Sequence, residues 1–157
     1  RKVVEHRSHK AFRKQVAVRL ALPKRGITLR ADRMLLQQAF SNLLGNAIKY
    51  NRDKGKVTIS AKRLKNGKLH LLFTDTGEGI SPARLRQVRR LIKAQDMQHQ
   101  HGTQEERALS LVLASEFVGL HGGNLRIGDG PNGTGTTVTV ELPAARVLKH
   151  ISSGMPV

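Results

Sequence analysis

Asn42, Asn46 and Lys49 stand at i, i+4 and i+7 in a stretch whose apolar residues repeat at helical spacing, so one helix face carries two amides and an ammonium. A hard divalent cation such as Mg²⁺ prefers oxygen ligands and is held through one or two protein groups plus substrate phosphates. The amide oxygen of Asn46 can be that ligand, and the Lys49 ammonium can neutralise a phosphate. Further on, Asp75 ends the apolar run Leu71-Leu72-Phe73, where a carboxylate is costly unless donors reach it. The exocyclic amine of an adenine is such a donor. Gly77 and Gly79 follow, and they let the backbone turn and come close to a flat ring that a Cβ would obstruct. Together these groups could hold a purine, a cation and a phosphate chain in a cleft between the helix and the strand end. The plainer alternative is two asparagines bonded to backbone or water, beside a common Asp-x-Gly-x-Gly turn.

The elements that must position these groups follow from local signals. Val16–Leu22 alternates and stops at Pro23, which reads as a strand; a turn at Lys24-Arg25-Gly26 and a short strand at Ile27–Arg30 come next. Asp32 is a good N-cap for a helix reaching about Tyr50, with Leu35, Leu36, Ala39, Phe40, Leu43, Leu44, Ala47 and Ile48 at helical spacing. Two strands, Lys56–Arg63 and Lys68–Asp75, are joined at the hairpin signal Asn66-Gly67. Ser81-Pro82 opens a helix to about Lys93, with Leu85, Val88, Leu91 and Ile92 on its packing side. Its other side is basic: Arg84, Arg86, Arg89, Arg90 and Lys93.

From Ala94 to Glu106 the composition is that of a polar loop, and Leu109–Leu120 reads as a buried helix stopped by His121-Gly122-Gly123. Strands at Asn124–Gly128 and Thr136–Leu142, around a glycine-rich loop, complete an α+β unit with helices on one face of a mixed, mostly antiparallel sheet. Residues 16–145 form this domain, 1–15 read as the end of an upstream helix or linker, and 146–157 as a tail, ill ordered beyond Lys149.

The chain has 157 residues, enough for a single domain with a real core, and no cysteine, which removes disulfides and thiolate metal sites. A net charge of +17 favours polyanions, yet aromatics are 3% of residues and the basic groups are dispersed, which argues against a specific nucleic-acid surface. His99 and His101 sit in a glutamine-rich stretch and read as loop rather than metal ligands. The most apolar run is interrupted by Ser110, Ser115 and Glu116, so no segment suits a bilayer and no membrane contact is expected of this fragment.

The chain resembles the ATP-binding catalytic domain of a bacterial sensor histidine kinase, within the GHKL superfamily. Ser41–Asn51 is similar to that family's N box, Asp75–Ser81 to its first glycine box, Phe117–Gly123 to its His-Gly-Gly helix end, and Gly133–Pro143 to its closing hairpin. The match covers roughly residues 10–145 in the family's order. The resemblance implies a two-layer α/β sandwich, with ATP and Mg²⁺ between the N-box helix and a lid. It implies Asn46 as the Mg²⁺ ligand, Asn42 as the second amide, Lys49 as a phosphate contact and Tyr50 as an aromatic neighbour of the nucleotide. Asp75 becomes the adenine-reading acid, beside Gly77, Gly79 and Ile80, with Thr137 supporting the adenine-side water network. Hydrolysing branches of the superfamily carry a glutamate where this chain has Asn42, which cannot take a proton.

The second glycine box departs from the family: Ala108-Leu109-Ser110-Leu111 stands where Gly-Leu-Gly-Leu would wrap phosphates at a helix start. A positive φ at Ala108 or Ser110 would cost about 1–2 kcal/mol. The implied function is transfer of a γ-phosphoryl group to a histidine on a separate dimerisation domain, with a response regulator receiver as the next acceptor. His6 and His9, followed by Arg and Lys, do not resemble that acceptor. The fragment itself reads as a cytoplasmic monomer from a family often anchored in the inner membrane. Two alternatives stay open at this point: a degenerate pseudo-kinase docking module with weak or no ATP binding, and a basic nucleic-acid binder.

Overall fold

The computed structural model describes residues 14–94 and 103–148. The expectations for His6, His9, His99, His101 and the tail beyond Lys149 fall outside the described residues. Five strands form one open sheet: β1 (Ala17–Ala21), β2 (Lys56–Arg63), β3 (Leu69–Asp75), β4 (Asn124–Asp129) and β5 (Thr136–Leu142). Their spatial order is β1-β2-β3-β5-β4. Only β1 and β2 run parallel; the other three pairs are antiparallel. Three helices, α1 (Arg33–Lys49), α2 (Pro82–Ala94) and α3 (Thr103–Gly119), form the second layer.

Helix α1 starts where its cap demands: Asp32 Oδ1 accepts the Leu35 amide at 3.0 Å. Leu36, Ala39, Leu43, Leu44, Ala47 and Ile48 then bury one side of it. They meet Leu69 and Phe73 of β3 and Leu111 and Val118 of α3, and each fully buried leucine contributes about 2 kcal/mol by leaving water. His121 ties the layer together at its far end. Its Nε2 accepts the Asp32 amide at 3.0 Å and its Nδ1 donates to the Phe117 carbonyl at 2.7 Å, linking the start of α1 to the end of α3.

At the other end of α1, buried Asn51 donates to the carbonyls of Ala47 and Lys56, and its Oδ1 accepts from the Arg52 amide and the Thr76 hydroxyl. All of this amide's bonding capacity goes into joining the helix end to β2 and to the turn after β3. The Lys14 ammonium adds bonds to the carbonyls of Lys49 (2.7 Å) and Asn51 (3.1 Å), a cation on the negative end of the helix.

Two expected elements differ. Ile27–Arg30 is not a strand; it forms a single bridge, Leu29 with Val147, because among the described residues its ladder partner is the short segment after β5. Helix α3 begins at Thr103, earlier than the expected Leu109, because its polar first turns are made of residues that favour helix without showing an apolar period. The packing side of α2 is as expected: Val88 is buried, Leu85, Leu91 and Ile92 pack on the core, and Arg86, Arg89 and Arg90 lie exposed.

Candidate functional site

Strand alternation decides which side chains can meet α1. Leu69, Phe73 and Asp75 of β3 are buried on the helix side, as are Thr136, Val138 and Val140 of β5. Asp75 therefore ends its strand under the helices, and it lines one cavity with Leu43, Asn46, Ala47, Phe73, Ile80, Arg107, Leu111, Thr136 and Val138. The helix amide and the strand-end acid are thus neighbours across one site. That inner cavity holds only about 10 Å³, so the cleft expected from the sequence is filled. The filling group is Arg107, on the second turn of α3. Its Nη1 donates to the Gly79 carbonyl at 2.9 Å and its Nη2 to the Thr136 hydroxyl at 3.0 Å, while Cζ lies 4.6 Å from the Tyr50 ring centroid.

Outside Arg107 the site opens into a groove of about 530 Å³, lined by Tyr50, Glu78, Gly79, Ile80, Ser81, Ala83, Arg84, Gln87 and Arg107. The Arg84 guanidinium reaches it with Nη1 on Gln87 Oε1 at 3.3 Å and a buried Nη2 that has no hydrogen-bond partner.

Asp75 accepts two backbone amides on the same oxygen, Gly77 N–H at 2.8 Å and Thr136 N–H at 3.2 Å, both to Oδ1. Burial raises its pKa above the ordinary carboxylate value, opposed by those two donors and by the Arg107 charge. Burial likewise lowers the pKa of Arg107, opposed chiefly by the charge of Asp75. Asn46 Oδ1 accepts the Ser110 hydroxyl at 2.9 Å, and its amide nitrogen lies 3.5 Å from the Arg107 carbonyl.

Several assignments change with the structure. Thr137 faces the opposite side of the sheet, with its hydroxyl 3.3 Å from that of Thr74, because odd and even positions of β5 point to opposite faces. The threonine at the site is Thr136. Ala108, Leu109 and Ser110 lie inside α3 rather than at its start, so their amides belong to the helix and are not free to wrap a phosphate. None of them has a positive φ, and the strain considered for Ala108 and Ser110 does not arise. Ala108 is buried in the core, Leu109 is exposed, and Ser110 bonds Asn46.

Asn42 does not line either cavity; its Oδ1 accepts Gln38 Nε2 at 3.1 Å. Lys49 is exposed, with its ammonium 5.4 Å from the Tyr50 ring centroid. Gly77 is needed because a Cβ would meet the Tyr50 carbonyl at 2.3 Å, a contact within the protein rather than with a ring. Gly79 has φ +75°, which a side chain rarely tolerates. The sequence reading missed Arg107, Thr136 and Gly135. Alternation from Val138 and Val140 could have placed Thr136 inward; nothing local marks Arg107.

The model of a family described as histidine kinase-, DNA gyrase B-, and HSP90-like ATPase matches residues 31–146. The chain belongs to this family. Among its branches the kinship is with sensor histidine kinases. Histidine protein kinase DivJ of Caulobacter vibrioides is 39% identical over 132 residues, which is 82% of this chain and 21% of that protein. Signal transduction histidine-protein kinase BaeS of Escherichia coli is 31% identical over 146 residues, 89% of this chain and 30% of that protein. The chain therefore spans about a fifth to a third of the length of these curated relatives.

Full-length ShkA in complex with AMPPNP superposes with TM-score 0.71 at 27% identity, over 90% of this chain and 28% of that one. The nucleotide-free catalytic domain of histidine kinase ThkA superposes with TM-score 0.74 over 91% of this chain and 90% of that one; at 18% identity this likeness speaks for the fold alone. The two-layer α+β sandwich with its mixed sheet is the fold of such histidine-kinase catalytic domains. Among the described residues, no helix is long and apolar enough to cross a membrane.

Proposed function

We propose that this domain binds Mg·ATP between α1 and the β3–α2 turn and donates the γ-phosphoryl group to a histidine on a separate dimerisation domain, for relay to a response regulator receiver. The observation that carries the reading is that Asn46 and Asp75 line one cavity. The donors on Asp75 both use Oδ1, so Oδ2 remains as the acceptor for a purine amine. The amide oxygen of Asn46 has a second lone pair beyond the Ser110 bond, which suits a cation that takes one protein oxygen and completes its shell with phosphates and water.

Bound there, Mg²⁺ would neutralise the phosphate chain. Among the described residues no cluster of three or more acids or histidines could hold a metal ion. The groups fit the ligand; the inner volume fits a purine only when Arg107 moves. Asn42 cannot act as a base, and its oxygen is engaged by Gln38, so transfer to a side chain suits the site better than water activation. Positioning and charge neutralisation are then the catalytic contributions. The unit that does this is assigned to residues 16–145, on the cytoplasmic side where ATP is available, whether or not the whole protein is held at the inner membrane.

Thermal unfolding with and without Mg·ATP tests the reading. A ligand at a hundred times its Kd adds about 2.7 kcal/mol, a rise of about 5–11 °C for a chain of this size. Asp75→Asn and Asn46→Ala are each expected to remove most of that rise. An undiminished rise in both variants rejects the site.

A further inference from the structure

We propose that Arg107 sets the affinity of the base pocket by acting as its resident self-ligand, which a purine must displace to enter. The proposal rests on the nucleotide reading of the site and adds its regulation. A guanidinium is flat, stacks on an aromatic face and presents N–H donors around its edge, which are the features a purine amine offers. Arg107 uses all three: it lies over the Tyr50 ring, and its edge donates to the Gly79 carbonyl and the Thr136 hydroxyl. It lines both the inner cavity of about 10 Å³ and the outer groove of about 530 Å³, so it stands at the boundary between them.

The inner cavity contains Asp75, the one carboxylate available to read a base, and the guanidinium charge acts on that carboxylate. The outer groove has room for the side chain once it leaves, since α3 anchors only its Cα. Arg107 is also the only long cationic side chain among the residues that line the inner cavity.

Adenosine is the discriminating probe, because it carries the base and no phosphate. Binding is measured by calorimetry for the wild-type chain, Arg107→Ala and Thr136→Val, together with melting temperatures without ligand. Losing the two donor contacts is expected to raise adenosine affinity about tenfold in Arg107→Ala. Thr136→Val removes one latch acceptor and leaves Arg107 in place, so a smaller gain in the same direction is expected, and it serves if Arg107→Ala folds poorly. The ligand-free melting temperature of Arg107→Ala should fall while its affinity rises; a merely structural arginine would lower both.

Unchanged or weaker adenosine binding in both variants overturns the proposal. If Mg·ATP still stabilises the wild-type chain in that case, the nucleotide reading survives and only the latch is rejected. If Mg·ATP stabilises neither the wild-type chain nor Arg107→Ala, both fail together.

Discussion

Replacing Gly135 with alanine should destabilise the domain and damage the site in one stroke. Gly135 has φ +73°, and a Cβ built there would lie 1.9 Å from the Asp75 carbonyl oxygen, 2.8 Å from its carbon and 3.0 Å from Thr76 Cα. The left-handed backbone alone costs an L-residue about 1–2 kcal/mol. Relieving the clash means moving the start of β5 away from the end of β3, which breaks the bond from Thr136 N–H to Asp75 Oδ1, worth about 1 kcal/mol net. The sum is about 2–3 kcal/mol, or a fall in melting temperature of about 4–12 °C at this chain length. Gly133 is the internal control: its φ is +72° but nothing lies within 4 Å of its Cβ position, so Gly133→Ala should show only the backbone part. Calorimetric unfolding of the two variants, with Mg·ATP titrations on each, measures both effects. Equal melting temperatures for Gly135→Ala and Gly133→Ala, with equal nucleotide affinity, would refute the idea that this close approach holds Asp75 in place.

Two further outcomes follow from groups outside the pocket. On the open face of the sheet, Glu141 is bonded to His70 (2.8 Å) and Lys68 (3.0 Å), which hold its pKa at about 2. A depressed carboxylate stabilises the fold above its unfolded pKa and loses that contribution as pH falls towards 2, so the stability gap between wild type and Glu141→Gln should close between about pH 5 and 2 in urea titrations. Lys68 and Arg126, the latter with Nη2 at 3.5 Å from Glu141 Oε2, are 42% and 67% exposed, so the gap at neutral pH should be about 1 kcal/mol rather than the full value of the shift. Lys14→Ala removes two bonds to the carbonyl end of α1 and should lower the denaturant midpoint by about 1 kcal/mol equivalent, with an unchanged m-value.

The readable parts of this protein are those whose causes are local. Asp32 caps α1, Asn66-Gly67 turns the β2–β3 hairpin, and the period of Leu36, Leu43 and Ala47 sets the buried side of the helix; each cause acts within a few residues of its effect. The start of α3 was not legible, because Gln104, Glu105 and Glu106 carry helix propensity without an apolar stripe. The Ile27–Arg30 segment has strand-like residues, but a strand also needs a ladder partner, and among the described residues it makes one bridge, to Val147. Thr136 was legible in principle from the alternation of β5, whereas the family resemblance pointed to its neighbour Thr137, which faces the other side of the sheet.

By itself the sequence determined the inventory of the site and its approximate places: an amide on the inner side of a central helix, an acid at a strand end, and the turns that bring the chain past both. Only tertiary structure decided what fills the space between them. The side chain of Arg107 reaches Gly79, Thr136 and Tyr50 because α3 packs on α1 beside the β3–β5 pair. Contacts among residues so far apart in the chain depend on how packed layers are set against each other, and no local pattern of residue types encodes that placement.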